Sequence, residues 1–296
     1  MKLQGTYTAL ITPFTNDKSL DFKSFRELLQ RQIDAGLEGV VVLGTTGEAP
    51  TVDIEEAVDL FSCAHEFVGD RLQLILGLTS NCTRTVVKRV ARINPLRPAA
   101  ILSATPYYNK PTQKGIVEHF THLADATDLP IVLYNVPSRA GANMLAETVI
   151  QLSRIRNVVG VKEASGDLRQ IREIIEGVPE TFSVLSGNDD QNIDIVKLGG
   201  KGTISVASNV VPAGVKACVD AALAGDFSRA ESMDAPFLQL FKDLFIENNP
   251  QAVKTLLAHL GLCQEVFRLP MTTMMPENKA RVIATWEAVR SARDQA

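Results

Sequence analysis

The chain has 296 residues, 45% of them hydrophobic, and a formal net charge of -4. That is enough apolar material for one barrel-sized core, and the mild acidity leaves no basic footprint for nucleic acid. No run of ~18 uninterrupted apolar residues offers a membrane span.

The opening stretch MKLQGTYTALITPF is too polar, and too soon broken by Pro13, to read as a secretion signal. Cys63, Cys82, Cys218 and Cys263 lie far apart with no C-x-x-C pairing, as reduced thiols of a cytoplasmic protein would.

In chain order, β-rich runs alternate with amphipathic helical stretches, the pattern of repeated βα units. Strands are predicted at Tyr7–Thr12, Gly39–Leu43, Gln73–Gly77, Ala99–Ser103, Ile131–Asn135, Val158–Lys162, Phe182–Leu185 and Gly202–Val206. Several, such as VVVLG, IVLYN and VVGVK, are nearly continuous apolar runs, as strands buried on both faces require. Between the first two, Asp21 is placed to cap a helix over Phe22–Ala35, with Phe25, Leu28, Leu29 and Gln32 or Ile33 inward and Gly36 ending it. Asp53 precedes a second helix, on which Ile54, Val58, Phe61 and His65 share a stripe. Thr112, Leu145, Asp167 and Asp189 stand near later helix starts. After the eighth strand the alternation stops and helices follow one another, including Gln251–Leu260 and Glu277–Arg293. Eight strands with intervening helices predict an α/β fold, a TIM (β/α)8 barrel over residues 1–210, with a C-terminal helical region over 211–296 packed on it.

In such barrels the chemistry gathers where strands end. Lys162 closes the run Val158-Val159-Gly160-Val161-Lys162. Desolvation there favours the neutral amine, the form that attacks a ketone and makes an imine, an electron sink for the adjacent carbon. The bland alternative is a lysine that reaches solvent or pairs with Glu163. Tyr134, one strand earlier, is placed to shuttle protons. Thr45 and Thr46, in Gly44-Thr45-Thr46-Gly47-Glu48, offer donors to an anion. The planar fork of Arg139 suits a second carboxylate.

Other signals are weaker. His119 and His122 have helical spacing but no third ligand, so no metal site is expected. Gly199-Gly200-Lys201-Gly202 precedes a strand rather than opening a helix, so it reads as a turn.

The segments GTTGEAPT (Gly44–Thr51), TPYYNKP (Thr105–Pro111), YNVPSRAG (Tyr134–Gly141) and GVKEASGD (Gly160–Asp167) together resemble the dihydrodipicolinate synthase family, also called 4-hydroxy-tetrahydrodipicolinate synthase. The resemblance runs from about Thr6 to Phe267-Arg268-Leu269-Pro270-Met271. It implies a cofactor-free condensation of pyruvate with L-aspartate 4-semialdehyde, toward diaminopimelate and lysine. By the same resemblance Lys162 matches the Schiff-base lysine and Tyr134 the proton-relaying tyrosine. Thr46 matches the threonine linking it to a second tyrosine, Tyr108, donated by a neighbouring subunit. Thr45 and Thr46 match the pair near the pyruvate carboxylate, Arg139 the arginine for the semialdehyde carboxylate, and Gly187 and Ile204 pocket-lining backbone. A homo-oligomer is implied, at least a dimer and typically a tetramer.

The wider superfamily includes N-acetylneuraminate lyase and sugar-acid aldolases. Arg139 favours the synthase, because a polyhydroxylated substrate calls for neutral groups there. A non-catalytic oxo-acid-binding paralogue is the reading from another class, and the intact Lys162, Tyr134, Thr46 and Tyr108 argue against it. Two departures stand out. Ile54, Ala57 and Thr85 occupy positions where lysine-inhibited members carry histidines and a glutamate, although Asn81 and Tyr107 remain. An ammonium ligand thereby loses a charged hydrogen bond of roughly 1.5–3 kcal/mol, so lysine inhibition is expected to be weak or absent. Asn188 replaces an acidic residue found in some members at the pocket rim.

Overall fold

A computed structural model describes residues 3–294. Strands β1 (Gly5–Ala9), β2 (Gly39–Val42), β3 (Gln73–Gly77), β4 (Ala100–Ala104), β5 (Ile131–Asn135), β6 (Val158–Glu163), β7 (Ser183–Ser186) and β8 (Gly202–Ser205) form a closed barrel, each parallel to the next. The eight predicted strands are all present, with ends shifted by up to three residues.

Alternation of side chains along each strand produces two apolar layers. Tyr7, Val41, Ile75, Leu102, Val132, Leu185 and Ile204 fill the barrel interior. Val40, Val42, Leu74, Leu76, Ile101, Leu133 and Val161 face outward into the larger core beneath the helices. This two-sided burial is why the strands read as unbroken hydrophobic runs.

The helices are α1 (Phe22–Asp34), α2 (Ile54–Val68), α3 (Thr83–Ile93), α4 (Gln113–Asp125), α5 (Pro137–Ala140), α6 (Ala146–Leu152), α7 (Leu168–Gly177), α8 (Asn192–Lys197), α9 (Pro212–Leu223), α10 (Phe227–Asp234), α11 (Leu238–Asp243), α12 (Gln251–His259) and α13 (Pro276–Asp294). Asp21 caps α1 by accepting from Ser24 N, and Gly36 at φ +69° turns the chain out of it. Asp53 and Glu56 form a reciprocal capping box on α2. The buried face of α2 differs from expectation. It is Ala57, Leu60, Phe61, Ala64 and Val68, while His65 is exposed. Ile54 and Val58 lie at the edge of this face, partly buried against the same core.

Helix α9 follows β8 and packs on β1 and β8, and α10 to α13 continue from it. Several ties join this later chain to the β2 end of the barrel, among them two at the loop that follows β2. Lys254 of α12 forms a fully buried ion pair with Glu48, and Asn249 Nδ2 donates to Thr46 Oγ1 at 2.9 Å. No helix among the described residues is long and apolar enough to cross a membrane.

Candidate active site

The register of the barrel sets Tyr134 directly beside Lys162, and Lys162 beside Leu185. Both polar side chains point inward at the C-terminal ends of their strands. Lys162 is 5% exposed, and its Nζ lies 4.7 Å from the centre of the Tyr134 ring. Among the described residues the Lys162 amine has no hydrogen bond and no ion pair to a protein group. Its sequence neighbour Glu163 points to the opposite face, so the pairing of Lys162 with Glu163 weighed above does not form. There Glu163 is fully buried and accepts from Asn135 Nδ2, Ser165 N and Gln170 Nε2. Burial pushes its carboxyl up, and these donors pull against that rise.

Lys162 and Tyr134 line a cavity of about 150 Å³, with Thr45, Thr46, Arg139, Gly187 and Asn188 on its walls. The loop carrying the threonines is tightly constrained. Leu43 and Glu48 flank it in left-handed conformations, at φ +59° and +52°. Gly47 N donates to Gly44 O and Glu48 N to Thr45 O, while Thr12 Oγ1 donates to Gly47 O. Among the described residues the N–H groups of Thr45 and Thr46 donate to no protein acceptor. Two backbone donors and two hydroxyls therefore remain for an anion beside the lysine.

Arg139 stands on α5, started by Pro137 and ended by Gly141 at φ +71°. The residue is exposed at the rim, where its guanidinium makes no protein ion pair among the described residues. Gly187 owes its identity to close approach. A Cβ there would lie 3.0 Å from Lys162 Cε and 2.7 Å from Ala164 Cβ. Asp189 is buried behind this wall, where its Oδ2 accepts from Val206 N and Ala207 N at 3.0 and 2.9 Å. Burial pushes its carboxyl up, opposed by those donors and by the pull of Lys162.

The structure thus brings together Lys162, Tyr134, Thr45, Thr46, Arg139 and Gly187. The side chain of Ile204 lies wholly inside the barrel, and Val206, two residues on, lines the cavity wall. Tyr108 is outside the cavity within this single chain, 87% exposed at φ +71° on the loop after β4. Thr46 takes its hydrogen bond from Asn249, not from Tyr134. Sequence reading missed Asn249 and Phe245, which enter the cavity wall from the segment between α11 and α12. Their only signal was polar and aromatic residues between two helical stretches.

Of the two histidines set aside above, His119 is buried and shares a hydrogen bond with Thr83 Oγ1. The ring of His122 bonds Glu118 O.

A closed parallel barrel with a buried, unpaired amine at its mouth, free backbone donors beside it and an arginine at the rim suits a lyase acting on oxo acids. Residues 2–289 match the model of the dihydrodipicolinate synthetase family, and the chain belongs to that family. It is 44% identical over 283 residues to a 4-hydroxy-tetrahydrodipicolinate synthase of Koribacter versatilis, covering 95% of this chain and 94% of the relative. The crystal structure of dihydrodipicolinate synthase from Aquifex aeolicus superposes with a TM-score of 0.94 at 40% identity, over 96% of this chain and 97% of that one. The 4-hydroxy-tetrahydrodipicolinate synthase of Methylacidiphilum fumariolicum SolV gives a TM-score of 0.95 at 38% identity, over 98% and 97%.

Proposed function

We infer that this chain catalyses the synthase reaction, condensing pyruvate with L-aspartate 4-semialdehyde to 4-hydroxy-tetrahydrodipicolinate. The observation that carries the residue assignment is the unpartnered Lys162 amine, buried against Tyr134 beside the free N–H groups of Thr45 and Thr46. Those N–H groups hold the pyruvate carboxylate, which sets the ketone carbon before Lys162 Nζ. The amine adds to that carbon and water departs, leaving a protonated imine. Loss of a methyl proton gives the enamine, which attacks the aldehyde carbon of the second substrate. Tyr134 moves the protons these steps require, with Thr46 as its neighbour in the relay. Arg139 takes the semialdehyde carboxylate, so each substrate's carboxylate has its own site. The semialdehyde's amine then displaces Lys162 from the imine carbon and closes the ring.

Tyr108 belongs to this relay only through a second copy of the chain. Its exposure, with Tyr107 at 41% beside it, supports an assembly of at least two subunits. An adjoining cavity of about 420 Å³, lined by Ile54, Ala57 and Tyr107, shares Thr45, Tyr134, Arg139 and Asn249 with the site. Its carboxylates are already engaged, Glu48 by Lys254 and Asp53 by the cap of α2. A lysine ammonium finds no free acid there, so lysine at 1 mM, ~10⁻³ M on the affinity scale, should leave the rate unchanged; half-inhibition below that concentration would contradict this.

The deciding test is borohydride reduction with pyruvate. It should add one reduced pyruvate to the peptide carrying Lys162 and none to the Lys162→Ala variant. Adduct on another lysine would overturn the assignment. Arg139→Ala should still be trapped but lose about 10- to 100-fold in kcat/KM for the semialdehyde.

A further inference from the structure

Thr46 is 2% exposed and Asn249 6%, and both line the cavity that holds Lys162. Asn249 Nδ2 donates to Thr46 Oγ1 at 2.9 Å. A hydroxyl has one hydrogen to give, and an amide N–H₂ can only donate. With Asn249 as the donor, the Thr46 hydrogen is left to point elsewhere, and among the described residues it meets no protein acceptor. We propose that Asn249 is a positioning residue that fixes the direction of the Thr46 hydroxyl, so that Thr46 enters the proton relay as a donor toward the reacting groups. The inference rests on the reading that Thr46 takes part in that relay.

Two features suit Asn249 to this task. It is held by the chain before Pro250 and α12, and α12 is anchored by the buried Lys254–Glu48 ion pair to the same loop that carries Thr46. Its other amide atom, Oδ1, is buried without a hydrogen-bond partner, so the bond to Thr46 is the one polar contact of this side chain among the described residues. An acceptor at this position would reverse the arrangement. It would take the Thr46 hydrogen and remove it from the relay while keeping shape and volume almost unchanged.

Asn249→Asp makes that change. At pH 8 the variant should keep its unfolding temperature and its borohydride-trapped pyruvate adduct, yet lose about 10-fold or more in kcat with little change in KM for pyruvate. As pH falls and the new carboxyl regains its proton, kcat relative to the unmodified enzyme at the same pH should recover. Asn249→Leu removes the donor without supplying an acceptor and should lose less than Asn249→Asp. In a Thr46→Val background, Asn249→Asp should cost nothing further. An undiminished loss in that background, a loss from Asn249→Leu equal to that from Asn249→Asp, or no pH recovery would overturn the proposal. If Thr46→Val alone leaves kcat intact, the relay reading fails with it. If Thr46→Val is impaired and Asn249→Asp is not, only this inference fails.

Discussion

Two lysines are buried among the described residues, and they differ in what surrounds them. Lys162 lies 4.7 Å from the Tyr134 ring centre and has no acidic partner among the described residues. Lys254, fully buried, lies 4.5 and 5.0 Å from the ring centres of Phe14 and Phe267, is paired with Glu48, and donates to Val266 O. Glu48 also accepts from Arg268 N, and Arg268 clasps Glu56 with its two terminal guanidinium nitrogens, Nη1 and Nη2, each at 2.6 Å. Burial pushes the Lys254 amine down and Glu48 pushes it back up. Burial against an aromatic ring is therefore common to both lysines and does not define a nucleophile. A carboxylate partner turns a buried lysine into a brace, and its absence leaves an amine available for chemistry.

Replacing each lysine separates the roles. Lys162→Ala should lose at least about 10³-fold in activity, with its unfolding temperature nearly unchanged. Lys254→Met should instead lower stability by about 3–5 kcal/mol, because Glu48 is left charged and unpaired in the core. Adding Glu48→Gln to Lys254→Met should return part of that stability, and equal losses in the single and double variants would contradict the brace. Denaturant unfolding followed in parallel with a coupled assay reads all of these.

Crowding at the nucleophile gives a smaller effect. Gly187→Ala would set a methyl 3.0 Å from Lys162 Cε. Imine formation should slow by about 10-fold, since displacement of a reacting group by under 1 Å is costly. Stopped-flow trapping with pyruvate measures the step, and an unchanged rate would show that Lys162 does not need the space.

The smallest effect concerns Asp234, at the end of α10. Burial, reinforced by Asp189, Asp190 and Asp194, pushes the Asp234 carboxyl up to about 7. The folded chain keeps this proton up to about pH 7, while the unfolded chain releases it near 3.8. Between those values the folded state binds more protons, so stability falls as pH rises through the window. Asp234→Asn should therefore stabilise the fold by about 1–2 kcal/mol at pH 8 and by little at pH 4. Equal gains at both values would remove Asp234 as the cause.

Much of the site was legible because strand ends in a barrel converge. Once β5 and β6 were read from IVLYN and VVGVK, Tyr134 and Lys162 had to meet, and their register pairing shows it. The caps at Asp21 and Asp53 were equally local. Asn249 and Phe245 were not legible. Helical periodicity after the barrel gives the length of each helix but not the direction in which the connecting turns point. The bond from Asn249 to Thr46 spans 203 positions, beyond the reach of any local pattern. The side chain of Ile204 is buried inside the barrel, and Val206, just past β8, is the residue of this segment that lines the cavity.

That long span also orders events during synthesis. The lysine, the tyrosine and the arginine all leave the ribosome well before residue 249, and the threonine loop earlier still. A nascent chain halted at that stage has its reactive groups but lacks the clamp that Asn249, Lys254 and Arg268 close over Thr46 and Glu48. The threonine loop therefore waits for a segment made 203 positions later before its clamp can close.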